Sequence, residues 1–156
     1  MSEEVLFASQ EEINASIEEV EIVTTKYLIF KTEELLFGVD AATVVEILTN
    51  HAITKLPMVP DYVNGIINLR GLIIPIIDIR RRLGKESKDD CSIIVINIYG
   101  TQVGVLVDWV DRMVDVPDGT ILPVPSHNAQ KMTSGMSSLP DGGTMLVLDC
   151  DLLIHE

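Results

Sequence analysis

Short apolar runs separated by polar turns dominate the chain from Thr25 onward. Residues 27–30 and 35–39 flank a polar turn, which is typical of a β-hairpin. β-Branched runs at residues 73–77 and 93–96 have the length and composition of buried strands. The pattern predicts a mainly β protein whose core consists of Val, Ile and Leu, since aromatic residues make up only 4% of the chain.

Short helical turns are expected after two of these runs. Asp40 and Asp78 each follow an apolar run and precede a few residues with helical composition, so each is a candidate N-cap. Gly84 follows the second of these turns and is expected to close it as a glycine cap. Helical structure is therefore predicted to be limited to short turns.

The order of the apolar runs recurs in the second half of the chain. The residues around Gly38 in the first half are echoed by those around Gly104 in the second. The apolar run that ends at Asp78 is echoed, at a similar offset along the chain, by a run that ends at Asp149. Two matched halves made of short strands predict two small barrels packed side by side.

An acidic N-terminal extension, residues 1–22, precedes the two barrels. We place the barrels at about residues 23–88 and 89–156, with ends that can exchange between them. The extension holds seven glutamates and no Lys or Arg. Because Ser9 and Glu12 have the form of a capping box, it is either a short amphipathic helix or a solvated acidic tail.

The formal net charge of −13 narrows the classes of partner. A surface of this sign repels phosphate backbones and anionic membrane surfaces, so nucleic acids and lipid headgroups are disfavoured. No apolar run reaches the roughly 18 residues of a membrane span, and the N-terminus lacks a signal-peptide pattern. We therefore expect a cytoplasmic protein, without direct membrane insertion, that binds other proteins.

Candidate catalytic and metal-binding groups are few and scattered. His51, His127 and His155 are isolated, and Cys91 and Cys150 form neither a CxxC pair nor a disulfide framework. Nucleotide-binding and nucleophile-elbow motifs do not occur in the sequence. No catalytic residue, cofactor or metal is predicted.

Asp78 and Asp149 leave one enzymatic alternative open. They could present two carboxylates at matching positions of a small-ligand-binding or enzymatic barrel. An Asp that follows a strand more often caps the next turn, and we prefer that interpretation here.

Several basic residues and one tryptophan are candidates for recognition. Arg70 stands alone between two apolar runs, where it is either a displayed binding residue or an ordinary turn residue. Trp109 is expected in the core in preference to an interface. A cluster of basic residues is either a docking site for an acidic partner or a solvated face. It comprises Arg80, Arg81, Arg82, Lys85 and Lys88.

The segment from Asn68 to Ile79 resembles the signature of the CheW family of chemotaxis adaptors. The resemblance begins near Tyr27 and continues to Leu153, so it covers nearly everything after the acidic extension. It implies two five-stranded, SH3-like barrels, in agreement with the repeat. It also implies a non-catalytic adaptor that couples the cytoplasmic tips of methyl-accepting chemotaxis receptors to the regulatory domain of the histidine kinase CheA.

The resemblance also suggests which residues bind. The family's receptor contacts fall on four positions of this chain, Val44, Glu46, Gly65 and Arg70. The kinase surface is implied to lie largely on the second barrel, with no side chains assigned. Similar adaptors serve twitching and gliding pathways, which remain an alternative to flagellar chemotaxis.

Overall fold

A computed structural model describes residues 22–124 and 132–154, so the acidic extension lies, apart from Ile22, outside the described residues. The helices are α1 (Ile79–Arg82) and α2 (Cys150–Ile154), with 3-10 turns at Ala41–Thr43 and Asp118–Thr120. The ten strands of the described residues are β1 (Thr24–Thr32), β2 (Leu35–Asp40), β3 (Val44–Thr49), β4 (Val63–Leu69), β5 (Leu72–Asp78), β6 (Ser92–Ile98), β7 (Thr101–Val107), β8 (Trp109–Pro117), β9 (Thr133–Ser138) and β10 (Thr144–Leu148). The prediction of a mainly β protein with short helical turns is confirmed.

The strands form two five-stranded sheets, which we name barrel A and barrel B. Barrel A has the strand order β8-β1-β2-β10-β9, and barrel B has the order β3-β6-β7-β5-β4. Neighbouring strands are antiparallel except for the pairs β2–β10 and β5–β7, which are parallel. Backbone bridges between Thr54 and Ile66 and between Leu122 and Met136 cover an edge of each sheet. The predicted pair of small five-stranded barrels is confirmed.

The internal repeat is visible in the topology, but the barrels do not follow the two halves of the chain. The strands occupy the same order in both barrels, with β8 equivalent to β3, β1 to β6, β2 to β7, β10 to β5 and β9 to β4. Barrel A therefore takes its first hairpin from one half and its other three strands from the other half. The sheets differ in this way from the predicted division at residues 23–88 and 89–156, because a whole hairpin, and not only the chain ends, is exchanged.

Glycines accommodate the exchanged hairpins. A β-carbon at Gly38 on β2 would lie 2.3 Å from Met145 Sδ, and one at Gly104 on β7 would lie 2.4 Å from Ile76 Cδ1. Met145 and Ile76 are fully buried and belong to the parallel neighbours of these strands. The glycine at each position leaves the space that a core side chain of the other half occupies.

The largest hydrophobic cluster lies between the barrels. Among the described residues it contains 15 buried side chains, against six in the interior of each barrel. Phe30 and Phe37 stack within it, with ring centroids 5.4 Å apart, and residues such as Ile94 and Ile96 come from the opposite barrel. Because interiors are close-packed, this shared core holds the two barrels in one orientation.

The predicted helix caps are present. Asp40 Oδ1 accepts the Ala42 N–H at 2.9 Å, and Asp78 Oδ1 accepts the Arg80 N–H at 3.0 Å. Asp149 Oδ1 accepts the Asp151 N–H at 2.9 Å. Asp78 and Asp149 therefore act as N-caps, the interpretation preferred over a paired-carboxylate site.

Candidate docking surface

A tight turn joins β4 to β5 and displays Arg70. Leu69 and Leu72 pair across the turn, and Asn68 Oδ1 accepts the Gly71 N–H at 2.9 Å. Arg70 and Gly71 both have left-handed backbone conformations, with φ of 52° and 87°. Glycine adopts this conformation at no steric cost, so the turn stays tight and the Arg70 side chain projects from the end of two paired strands.

The Arg70 guanidinium reaches Glu46 on β3, at the opposite edge of barrel B. Nη2 lies 2.5 Å from Glu46 Oε2 and Nη1 lies 3.4 Å from Oε1, a two-point contact. The hydrogen bond from Arg70 is the main cause that lowers the pKa of Glu46 below its ordinary value. The two side chains are 69% and 31% exposed, so the pair adds little to stability and remains accessible to a partner.

Gly65 is buried on β4 and faces the segment that follows β3. A β-carbon at Gly65 would lie 2.3 Å from the Thr54 carbonyl oxygen. Thr54 and Ile66 exchange two backbone hydrogen bonds of 2.8 Å, which hold the segment after β3 against β4. Gly65 therefore permits the close approach of this segment to β4 and presents no side chain to a partner.

Val44 begins β3 and is half-buried against the central cluster. On the same strand, Val45 and Ile47 are 44% and 40% exposed. The structure thus brings Glu46 and Arg70 together at one corner of barrel B, while the register of β3 against β6 turns Val44 and Ile47 to the opposite face of β3, toward the central cluster. The alternation along residues 44–49 predicts the strand but does not assign its faces.

The repeat places a second ion pair at the equivalent corner of barrel A. Arg112 on β8 takes the position of Glu46, and Asp141 in the β9–β10 turn takes that of Arg70. Arg112 Nη2 lies 2.6 Å from Asp141 Oδ2, so the polarity of the pair is reversed. This pair is absent from the predictions made on the sequence, although the offsets of the repeat point to it.

The family model of the CheW-like domain matches residues 26–156, which is most of the chain. This chain belongs to the CheW-like domain family. It is 29% identical over 135 residues to the chemotaxis protein CheW of Klebsiella aerogenes, covering 85% of this chain and 81% of that protein. It is 30% identical over 132 residues to the chemotaxis protein CheW of Thermotoga maritima, covering 83% and 87%. The crystal structure of the scaffolding protein TtCheW from Thermoanaerobacter tengcongensis matches with a TM-score of 0.78 and 30% identity, over 86% of this chain and 94% of that one.

The basic run of this CheW-like domain ties its two barrels together. Arg80 lies 2.5 Å from Glu33 in the β1–β2 turn of barrel A and 3.1 Å from Asp108. Arg82 donates to the carbonyl oxygens of Leu152 and Leu153 at 3.2 and 2.6 Å. Arg80 and Arg82 thus serve contacts within the protein, whereas Lys85 and Lys88 of the same run are exposed.

The remaining candidates from the sequence are Trp109, the possible metal ligands and the histidines. Trp109 is 54% exposed, so its expected place in the core is wrong; β8 is an edge strand with a neighbour on one side only. Within residues 22–124 and 132–154, no three His, Cys, Asp or Glu side chains are grouped to hold a metal ion. In the same ranges, no helix is long and apolar enough to cross a bilayer. His127 and His155 lie outside the described residues.

Proposed function

We propose that this CheW-like domain is a non-catalytic adaptor that couples methyl-accepting chemotaxis receptors to the histidine kinase CheA. It acts in the cytoplasm and is recruited to membrane-associated receptor arrays. The observation that carries this proposal is the exposed pair of Glu46 and Arg70, presented where the tight turn between β4 and β5 meets the edge strand β3. Family membership and the likeness to a scaffolding protein support the same function.

The receptor contact combines polar and apolar groups. Arg70 and Glu46 can exchange part of their mutual contact for hydrogen bonds to a receptor, because both are reachable from solvent. Val44 and the exposed Ile47 lie on the other face of β3, toward the groove between the barrels, so that an occupant of this groove can contact both faces of the strand. Gly65 lets the segment after β3, the strand that carries Glu46, lie close against β4.

The adaptor needs no large conformational change for this role. It can bias signalling only by binding some receptor and kinase conformations more tightly than others. The shared central core keeps a constant geometry between the corner of barrel B and barrel A, where we place the kinase contact. Each contact can bury only about 1,000 Å², because many linked contacts in an array supply the apparent strength.

Co-sedimentation with receptor signalling fragments and CheA tests the proposal. Arg70→Glu places a carboxylate opposite Glu46, and we expect it to weaken receptor binding about tenfold or more while kinase binding is kept. Arg112→Glu is the matched control, because it makes the same charge change at the equivalent corner of barrel A and should keep receptor binding. Circular dichroism establishes that both variants fold.

The receptors in this assay should include those of twitching and gliding pathways. If the protein binds only the receptors of twitching and gliding pathways, it belongs to one of those pathways and the adaptor role still holds. If the wild-type protein binds no receptor and no kinase from any of these pathways, the adaptor proposal is wrong. If Arg70→Glu and Arg112→Glu weaken receptor binding equally, the contact is not at the corner of barrel B.

A further inference from the structure

Two hairpin turns of barrel B have the same local structure. Arg70 and Gly71 in the β4–β5 turn have φ of 52° and 87°, and Tyr99 and Gly100 in the β6–β7 turn have φ of 50° and 87°. In each turn an Asn side chain accepts the N–H of the glycine, at 2.9 Å in the first and 2.7 Å in the second. The turn that displays Arg70 therefore occurs a second time, with Tyr99 in the place of Arg70.

Both turns lie at the same end of barrel B. β5 and β7 are parallel neighbours, and each of these strands begins directly after one of the turns. β3 is antiparallel to β6, so β3 begins beside the end of β6, where the second turn starts. Glu46, Arg70 and Tyr99 are therefore displayed at one end of the barrel. We name this end the barrel B rim.

The backbone conformation of Tyr99 is unfavourable for a bulky residue. Two-residue turns of this kind favour Asn, Asp or Gly at the first position, because larger side chains are strained in the left-handed region. Residues held in such conformations cluster at functional sites. In the β1–β2 turn the left-handed residue is Glu33, with φ of 56°, and it forms an ion pair with Arg80 at 2.5 Å.

The contacts of Tyr99 within the protein do not account for this strain. Its side chain is 88% exposed, so folding does not bury the aromatic ring. Its hydroxyl donates to Asp151 Oδ2 at 3.3 Å in an exposed hydrogen bond. The ring thus stays accessible to a partner, and Tyr is one of the residues that most often anchor protein interfaces.

Apolar side chains continue the surface between the two turns. Leu72, directly after the Arg70 turn, is 48% exposed, and Ile73 is 55% exposed. Both belong to the start of β5, the strand that lies next to β7 in the sheet. The barrel B rim therefore combines an accessible arginine with apolar and aromatic side chains. Arginine and aromatic residues are enriched in protein interfaces.

We propose that Tyr99 is a further docking residue, whose ring enters an apolar pocket of the receptor that binds Glu46 and Arg70. The inference rests on the proposed function and extends the contact from one corner to the barrel B rim. The continuity of this rim supports it, because a partner seated on the first turn meets the neighbouring turn at the same end of the barrel. The receptor is thus expected to present an apolar pocket beside the polar groups that bind Arg70.

Receptor binding by Tyr99→Asn tests this inference. Asn tolerates the left-handed conformation, so the variant keeps the turn while it removes the ring. We expect it to bind receptor signalling fragments about tenfold more weakly than wild type in co-sedimentation titrations, and to be at least as stable in urea. Tyr99→Phe, which keeps the ring and loses the hydrogen bond to Asp151, should bind like wild type.

A matched control and a footprint locate the contact. Leu122→Asn removes an apolar side chain of barrel A that is 58% exposed, and it should keep receptor binding. In hydrogen exchange of the wild-type complex, the amides of Tyr99 and Gly100 should exchange more slowly than in the free protein. The amides of the β1–β2 turn should be unchanged.

Three results would overturn the inference. These are equal receptor affinities of wild type and Tyr99→Asn, equal weakening by Tyr99→Asn and Leu122→Asn, and equal weakening by Tyr99→Asn and Tyr99→Phe. If Arg70→Glu weakens receptor binding and Tyr99→Asn does not, this inference fails while the proposed function stands. If the wild-type protein binds no receptor, the proposed function fails and this inference fails with it.

Discussion

Gly65 has no room for a β-carbon, and its replacement by alanine tests how the segment after β3 is held. The new carbon would lie 2.3 Å from the Thr54 carbonyl oxygen and 2.8 Å from Ile53 Cγ2. Carbon and oxygen atoms approach to about 3.3 Å in close C–H···O contacts, so the Thr54 backbone would have to move by about 1 Å. A change of side-chain rotamer cannot relieve the clash, because the blocking oxygen belongs to the main chain.

The loss in free energy of unfolding caused by Gly65→Ala can be estimated in two ways. If the segment moves away, the protein loses the two backbone hydrogen bonds between Thr54 and Ile66, which together contribute about 1–3 kcal/mol. If the segment stays, the overpacked site costs about 1–3 kcal/mol in strain. Both routes predict that Gly65→Ala lowers the free energy of unfolding by about 1–3 kcal/mol.

Urea unfolding followed by circular dichroism measures this change, and the slope of the free energy against urea should stay constant. Gly119→Ala is the matched control, because a β-carbon there meets nothing within 4 Å. A Gly65→Ala protein as stable as wild type, to within about 0.5 kcal/mol, would refute the packing argument. We also expect weaker receptor binding by Gly65→Ala, since the displaced segment directly follows the strand that carries Glu46.

Three further predictions concern charged and thiol groups. Arg80→Met should lower the free energy of unfolding by about 2 kcal/mol, because Asp108, only 11% exposed, loses the nearer of its two charged partners. A double-mutant cycle with Asp108→Asn that shows no coupling would contradict this. An NMR titration should find the pKa of Glu46 below its ordinary value and Arg70→Gln should restore it. Since folding lowers this pKa, the stabilisation is present above the unfolded-state pKa and is lost as the pH falls through the folded-state pKa. Burial raises the pKa of Cys150 to about 11, so at pH 8 only about one Cys150 thiol in a thousand is ionised. Alkylation of Cys150 should therefore be far slower in the folded protein than in urea, and equal rates would contradict this burial.

Local sequence patterns were sufficient to predict the strands and the helical turns of this fold. The alternation of residues 27–30 and 35–39 predicted the hairpin of β1 and β2, and Asp78 and Asp149 were recognised as caps. These features depend on neighbours close by in the chain, which the sequence displays directly. The repeat offsets similarly led to two barrels with equivalent strands.

Surface and core were harder to distinguish for individual residues. Trp109 was expected in the core because large aromatic residues usually lie there, but its strand is at an edge of barrel A. The basic run at residues 80–82 could not be assigned, because many of the groups that it contacts belong to distant segments of the chain. Likewise, nothing local to Arg112 indicates that Asp141 is its partner.

By itself, the sequence determined the strands, the short helical turns, the pair of barrels and the family resemblance that singled out Arg70. Only the tertiary structure decided which barrel each hairpin joins, since the repeat offsets are the same for either arrangement. The choice depends on long-range packing, in which Met145 and Ile76 occupy the space that Gly38 and Gly104 leave. The same exchange brings the β1–β2 turn of barrel A against α1, where the Arg80 guanidinium contacts Glu33 and Asp108 from distant segments of the chain.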